Sequence, residues 1–279
     1  MKLSVSNIAW DNAELEDHLK LLKDLGCDGV EIAPSCIWKE PVNAADEDVE
    51  KLKNLISKYN LQIPAFQALL FTRPDLYIFG DNEKRQDTVR YLKMLIGLAG
   101  RLSVRTLIYG SPSSRKVGDK PYNECYQIAI EVFRELAAEA EKYDTIFCIE
   151  PLEHSMSDFI NTSDEGYRLI QDVGHPNFGL HLDARAMCEL KENFQSVFQR
   201  YGSIIKHFHV GDPELSPPGY TGRIDHSLIG NALINSNYNG YVSIEMRRGF
   251  GNSKEVVKNA VKYVREKYFL SGDTGNAGF

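Results

Sequence analysis

Four positions end apolar runs with a side chain that can ligate a metal. Glu150 closes Ile146-Phe147-Cys148-Ile149, Asp183 closes Leu180-His181-Leu182, His209 ends the run from Ile205, and Glu245 closes Val242-Ser243-Ile244. Three carboxylates converging on a point beside one imidazole would raise one another's pKa at a cost in stability, and a divalent cation removes that conflict. Mostly oxygen donors with one His suit one ion of Mn²⁺, Mg²⁺, Co²⁺ or Zn²⁺.

Such a centre needs four side chains presented at one level. The spacings between the four are 33, 26 and 36 residues, close to the roughly 31 residues per unit of an eight-unit α/β barrel of about 250 residues. Short β-rich runs alternate with helical patterns along the chain. Strands are expected at Leu3–Trp10, Gly29–Ala33, Ile63–Leu70, Thr106–Tyr109, Thr145–Glu150, Gly179–Asp183, Ile205–Val210 and Tyr241–Glu245. Helices are expected over Glu14–Leu25, Asp46–Tyr59, Lys84–Gly100, Tyr122–Tyr143, Ser163–Val173, Asn193–Tyr201, Leu228–Ile234 and Ser253–Tyr268, from apolar residues at helical spacing. Each helix acts as a crossover between parallel strands. No GxGxxG follows the first strand, which argues against a dinucleotide-binding sheet. The reading is a single-domain (β/α)8 TIM barrel over residues 1–270, with a flexible tail at 271–279, and the chemistry placed at the C-terminal strand ends.

The 279 residues carry a net charge of -7, which argues against a nucleic-acid partner. No apolar run approaches the length needed to span a membrane, and the N-terminus enters a strand without the apolar core of a signal peptide. The five cysteines, Cys27, Cys36, Cys125, Cys148 and Cys188, show no CxxC spacing and read as reduced thiols. A cytoplasmic enzyme follows as the expectation. The sequence is compatible with a homo-oligomer.

The segments Ile149-Glu150-Pro151, Leu182-Asp183, His207-Phe208-His209 and Ser243-Ile244-Glu245 resemble the xylose-isomerase-like TIM-barrel superfamily, the sugar phosphate isomerase/epimerase group, over roughly Leu3 to Tyr268. The resemblance implies Glu150, Asp183, His209 and Glu245 as metal ligands, and Glu150 and Glu245 as the acid/base pair. Ketose 3-epimerases and AP endonucleases commonly carry a His three residues after the Asp, where this chain has Ala186. A specific ketose-epimerase preference therefore does not carry over, and Arg185 is the candidate substitute. Gln67 and Tyr109 stand where the additional histidines of an AP endonuclease are expected, so no cleavage of abasic-site DNA is expected.

Around the four ligands, Trp10, Gln67, His154, Arg185, His207 and Arg247 are the candidate substrate contacts. His207 and His181 each lie two residues before a ligand and so share its side of the strand. Arg247, just past the last strand, suits a hydroxyl or anion anchor. The Pro/Gly-rich stretch Pro217–His226 reads as a connection or as a lid. The expected activity is a metal-dependent isomerase or epimerase of a sugar, keto-sugar or sugar derivative. A carbonyl polarised on the ion acidifies the neighbouring C–H, one carboxylate removes the proton to leave an enediolate, and a second returns it. The alternative on the same site is a lyase, a dehydratase of a keto-cyclitol or dehydroshikimate-like substrate. A non-enzymatic sugar-binding protein is disfavoured by the presence of both glutamates.

Overall fold

The structure, a computed structural model, describes residues 1–269; the tail expected at 271–279 lies outside the described residues. Eight strands are all parallel: β1 Lys2–Ser6, β2 Gly29–Glu31, β3 Ala65–Phe66, β4 Thr106–Tyr109, β5 Ile146–Ile149, β6 Phe178–Asp183, β7 Ile205–Val210 and β8 Tyr241–Ile244. The ladder runs β2-β1-β8-β7-β6-β5-β4-β3. Its two ends meet through parallel bridges Gly29↔Gln62 and Ile32↔Phe66. Val30 N donates to Gln62 O at 2.9 Å and Gln67 N to Ile32 O at 3.0 Å across that seam. The sheet is thus wrapped into the nearly closed (β/α)8 barrel anticipated from the alternation.

The helices follow from local chemistry. Ser163–Val173 opens with a capping box, Thr162 accepting from Glu165 N while the Glu165 carboxylate accepts from the Thr162 backbone, and stops at Gly174 with φ of 64°. Ser253–Tyr268 is capped by Asn252 and Asn82–Arg101 by Asp81. Each lays its apolar face on the strands. Tyr122–Glu141, for example, buries Phe133, Leu136 and Ala137, and burying a side chain such as Phe133 is worth roughly 1.5–3 kcal/mol.

Several elements depart from the sequence expectation, the first strand among them: it stops at Ser6, where a 3-10 turn over Asn7–Ala9 begins, instead of running to Trp10. The third strand is two residues long rather than Ile63–Leu70. Pro64 has no N–H to give the ladder, and Ala68 takes φ of 52°, which turns the chain out of the sheet. A short helix, Ala184–Glu189, follows β6 at once, because the Asp183 carboxylate caps it by accepting from Arg185 N at 2.7 Å.

Strand alternation sorts the barrel walls. On β7, Phe208 faces outward against Phe198 and Tyr268, so His207 and His209 point inward. The interior is polar: Ser4, Ser6, Glu31, Gln67, His181, His207, His209 and Ser243 are all buried. A barrel core is usually filled by branched aliphatic layers, so these buried groups must find partners among themselves or in a ligand.

Candidate metal centre and active site

The four expected ligands come from consecutive strands, at staggered heights. Asp183 on β6 pairs directly with His209 on β7. Glu150 follows β5 and is held by its N–H to Tyr109 O at 3.3 Å. Glu245 follows β8, its N–H donating to Val210 O at 2.9 Å. Since the ladder runs β5-β6-β7-β8 through this region, the Asp183–His209 pair sits in the middle and the two glutamates flank it.

His209 is the common member. Asp183, His209 and Glu245 offer ligand atoms within 4.8 Å of one another, and so do Glu150, His181 and His209. Its Nε2 bonds to Glu31 Oε1 at 2.7 Å. Its Nδ1 lies 3.5 Å from Glu245 Oε2 but is buried without a hydrogen-bond partner. That orphaned nitrogen among three carboxylates fits a cation. With Nε2 committed to Glu31, a neutral His209 has its Nδ1 lone pair free, and a carboxylate behind a ligating imidazole is the usual way of fixing such a tautomer.

Glu31, at the end of β2, is the member that sequence reasoning missed. It is fully buried, and it gathers His209, His207 Nε2 at 3.2 Å, and the Ser243 hydroxyl in a short hydrogen bond. Burial works against its charge, but His209 and His207 overcome this and hold its carboxyl well below the usual range. Burial likewise disfavours charge on His209, yet Glu31 and Glu245 raise its pKa well above the ordinary imidazole value. Without a cation, both carboxylates thus favour the protonated form of His209.

The carboxylates divide by environment. Burial first, then Glu245 and Asp183, push Glu150 up to about 8. Burial also raises Asp183, against the pull of Arg185. Burial opposes ionisation of Glu245 too, but the nearby His209 prevails and lowers it. Gly110, after β4, lies against Glu150: a Cβ there would collide with Oε2, so only glycine leaves the carboxylate its place. Arg115, another residue not anticipated, is fully buried and donates from Nη2 to the Glu150 carbonyl at 2.6 Å.

Among the expected substrate contacts, Arg185 is brought to the cluster, its Nη2 lying 3.3 Å from Asp183 Oδ2. His207 lies below it, on Glu31. His181 is buried with both ring nitrogens unpartnered, its Nε2 lying 3.9 Å from Glu150 Oε1. Gln67 reaches β1, its Nε2 donating to Ser6 Oγ at 2.6 Å. Trp10 is buried and stacked on His18 with ring centres 4.4 Å apart. His154 is exposed. Arg247 is exposed too, its guanidinium over Phe250 and its Nε on Glu214 O at 3.1 Å.

The Pro/Gly-rich stretch after β7 is tied down by Asp212. That buried carboxylate accepts from Gly219 N at 3.1 Å, Thr221 N at 2.8 Å and Thr221 Oγ1 at 2.6 Å. His226 Nε2 lies 2.7 Å from it, and His226 Nδ1 is 2.7 Å from the Tyr268 hydroxyl. All five cysteines are free, and no helix among the described residues is long and apolar enough to cross a membrane.

Comparison with known proteins agrees with this fold. D-psicose 3-epimerase of Ruminiclostridium cellulolyticum is 33% identical over 120 residues, 43% of this chain and 41% of that protein, so the aligned stretch spans less than half of that relative. Inosose isomerase of Bacillus velezensis is 24% identical over 277 residues, 93% of this chain and 95% of that one. A solved structure of the IOLI protein with a binding zinc atom superposes with a TM-score of 0.78 at 21% identity, covering 97% of this chain and 100% of that one. The xylose isomerase-like TIM barrel family matches residues 19–267, nearly the whole described barrel, and the chain belongs to that family.

Proposed function

We propose that this protein is a divalent-metal-dependent isomerase or epimerase of a small keto-sugar or sugar derivative, working by proton transfer beside a carbonyl. The observation that carries the reading is the buried, unpartnered His209 Nδ1 facing Asp183 and Glu245 while Glu31 holds the other ring nitrogen. Glu150, Asp183, His209 and Glu245 would hold the ion. When bound, a divalent ion supplies Lewis-acid polarisation of a substrate carbonyl and so acidifies the adjacent C–H.

The chain's own groups then divide the work. Glu150 and Glu245 flank the central Asp183–His209 pair from β5 and β8. A substrate lying over that pair meets a carboxylate on each side, so one can remove a proton and the other return it to the opposite face. Glu31 keeps His209 oriented, and Arg115 fixes the Glu150 backbone by its bond to the carbonyl oxygen. The relatives described are named an epimerase and an isomerase, which supports this reading; the dehydratase alternative draws no support from them. The substrate is a small carbohydrate and the ion one of Mn²⁺, Mg²⁺, Co²⁺ or Zn²⁺.

Elemental analysis after repletion with each of these ions tests the metal. About one ion per chain is expected for at least one of them. A protein that stays metal-free with all four has no such centre.

A further inference from the structure

Beside the four ligands lies a charged pair that the proton-transfer scheme leaves unused. Glu153 sits three residues past Glu150 in the loop after β5 and is nine-tenths buried. Its Oε1 lies 3.6 Å from Arg185 Nη1, and its Oε2 is buried with no partner. Arg185 Nη2 is 3.3 Å from Asp183 Oδ2, while its Nε is also buried with no partner. A donor and an acceptor on one ion pair are thus both unsatisfied, and a buried group without a partner costs about 1–3 kcal/mol.

A hydroxyl both donates and accepts, so adjacent hydroxyls can take the Arg185 Nε–H and give to Glu153 Oε2. A phosphate dianion only accepts. It would leave Oε2 unpartnered and bring like charge against it. The surrounding charge disfavours an anion as well. Glu150, Asp183, Glu245 and Glu153 carry four carboxylates, and even with a divalent ion seated Arg185 leaves them in excess by at least one charge. Arg115 is enclosed beneath Glu150, and Arg247 is turned to Glu214 and Phe250.

We propose that Arg185 and Glu153 read two hydroxyls of a neutral, unphosphorylated sugar, and so set the substrate class of this site. The inference rests on the isomerase reading for the kind of ligand the site takes, and its test separates the two.

The Mn²⁺-loaded protein is titrated with D-fructose and with D-fructose 6-phosphate, and binding is followed by water-proton relaxation. The neutral sugar is expected to bind at least ~10-fold more tightly than its phosphate, and Glu153→Ala to weaken it by ~10-fold or more, the loss of about one hydrogen bond to a charged group. Glu153→Gln keeps the shape and an acceptor oxygen but drops the charge, so its discrimination against the phosphate should narrow; it also carries the test if the alanine variant does not fold. Mn²⁺ stoichiometry is checked in each variant. Equal or tighter binding of the phosphate ester overturns the proposal, as do wild-type affinities in both variants or no binding of either sugar to the wild type. Solvent-deuterium exchange is run on the same samples. The expected binding pattern without any exchange would refute the isomerase reading while leaving the hydroxyl-reading pair in place.

Discussion

Removing the Glu31 carboxylate should weaken metal binding at a site it does not itself ligate. It accepts from His209, His207 and Ser243 in a fully buried setting. Glu31→Ala leaves three buried donors unpartnered at about 1–3 kcal/mol each. The expected loss is several kcal/mol, a large part of the roughly 5–15 kcal/mol that holds a domain folded. Glu31→Gln is the more informative change. It keeps the shape and one acceptor oxygen but cannot stabilise an N–H on both histidines, so His209 loses its enforced tautomer. Changes behind a ligating His typically cost about 10–100-fold in metal affinity, or about 1.4–2.7 kcal/mol. Competition against a fluorescent chelator measures this, with the Tm of the metal-free protein recorded in parallel. If Glu31→Gln binds Mn²⁺ or Zn²⁺ as tightly as the wild type, Glu31 does not orient His209 and the assignment of His209 Nδ1 as the ligand atom loses its support.

Two further perturbations follow from the geometry. Glu150 is raised from near 4.5 to about 8 chiefly by burial, so the folded metal-free protein binds more protons than the unfolded chain in that window; its stability should therefore fall as pH rises from about 4.5 to 8, and a Tm series flat or rising over that range would contradict the burial. Asp212→Ala removes the acceptor for Gly219, Thr221 and His226 and should cost about 2–4 kcal/mol while exposing residues 213–222 to protease; unchanged cleavage of that stretch would show that Asp212 does not anchor it.

The barrel was legible in the sequence because it is periodic, and the four side chains proposed as ligands were legible as strand ends. Apolar runs ending in Glu150, Asp183, His209 and Glu245 mark strand ends, and near-equal spacing marks the repeat. The third strand is shorter than its apolar run because Leu69, Leu70 and Phe71 continue that run past the turn at Ala68; composition does not distinguish an apolar loop from a strand, and Pro64 is the one local sign of the break. Glu31 had a readable signal. It interrupts Val30 and Ile32, and a carboxylate inside a strand with apolar neighbours needs a buried partner, which His207 or His209 could supply. Glu153 and Arg115 had none, since each belongs to a loop whose path depends on the assembled barrel. His154 and Arg247 look similar to Arg185 in sequence, but only Arg185 lies in the first turn of a helix that Asp183 caps.

In the proposed reaction Glu150 and Glu245 move a proton from opposite sides of the Asp183–His209 pair. Solvent-deuterium exchange read by NMR on keto-sugars, with wild type, Glu150→Gln and Glu245→Gln at verified metal content, tests it most directly. Wild-type product should carry solvent deuterium at the carbon beside the carbonyl. One variant should exchange the substrate proton without forming product, the other should do neither, and the roles should swap when the reaction is run in reverse. Turnover with no deuterium entering the product, or wild-type turnover in both variants, would contradict the account and leave the two glutamates as ligands alone.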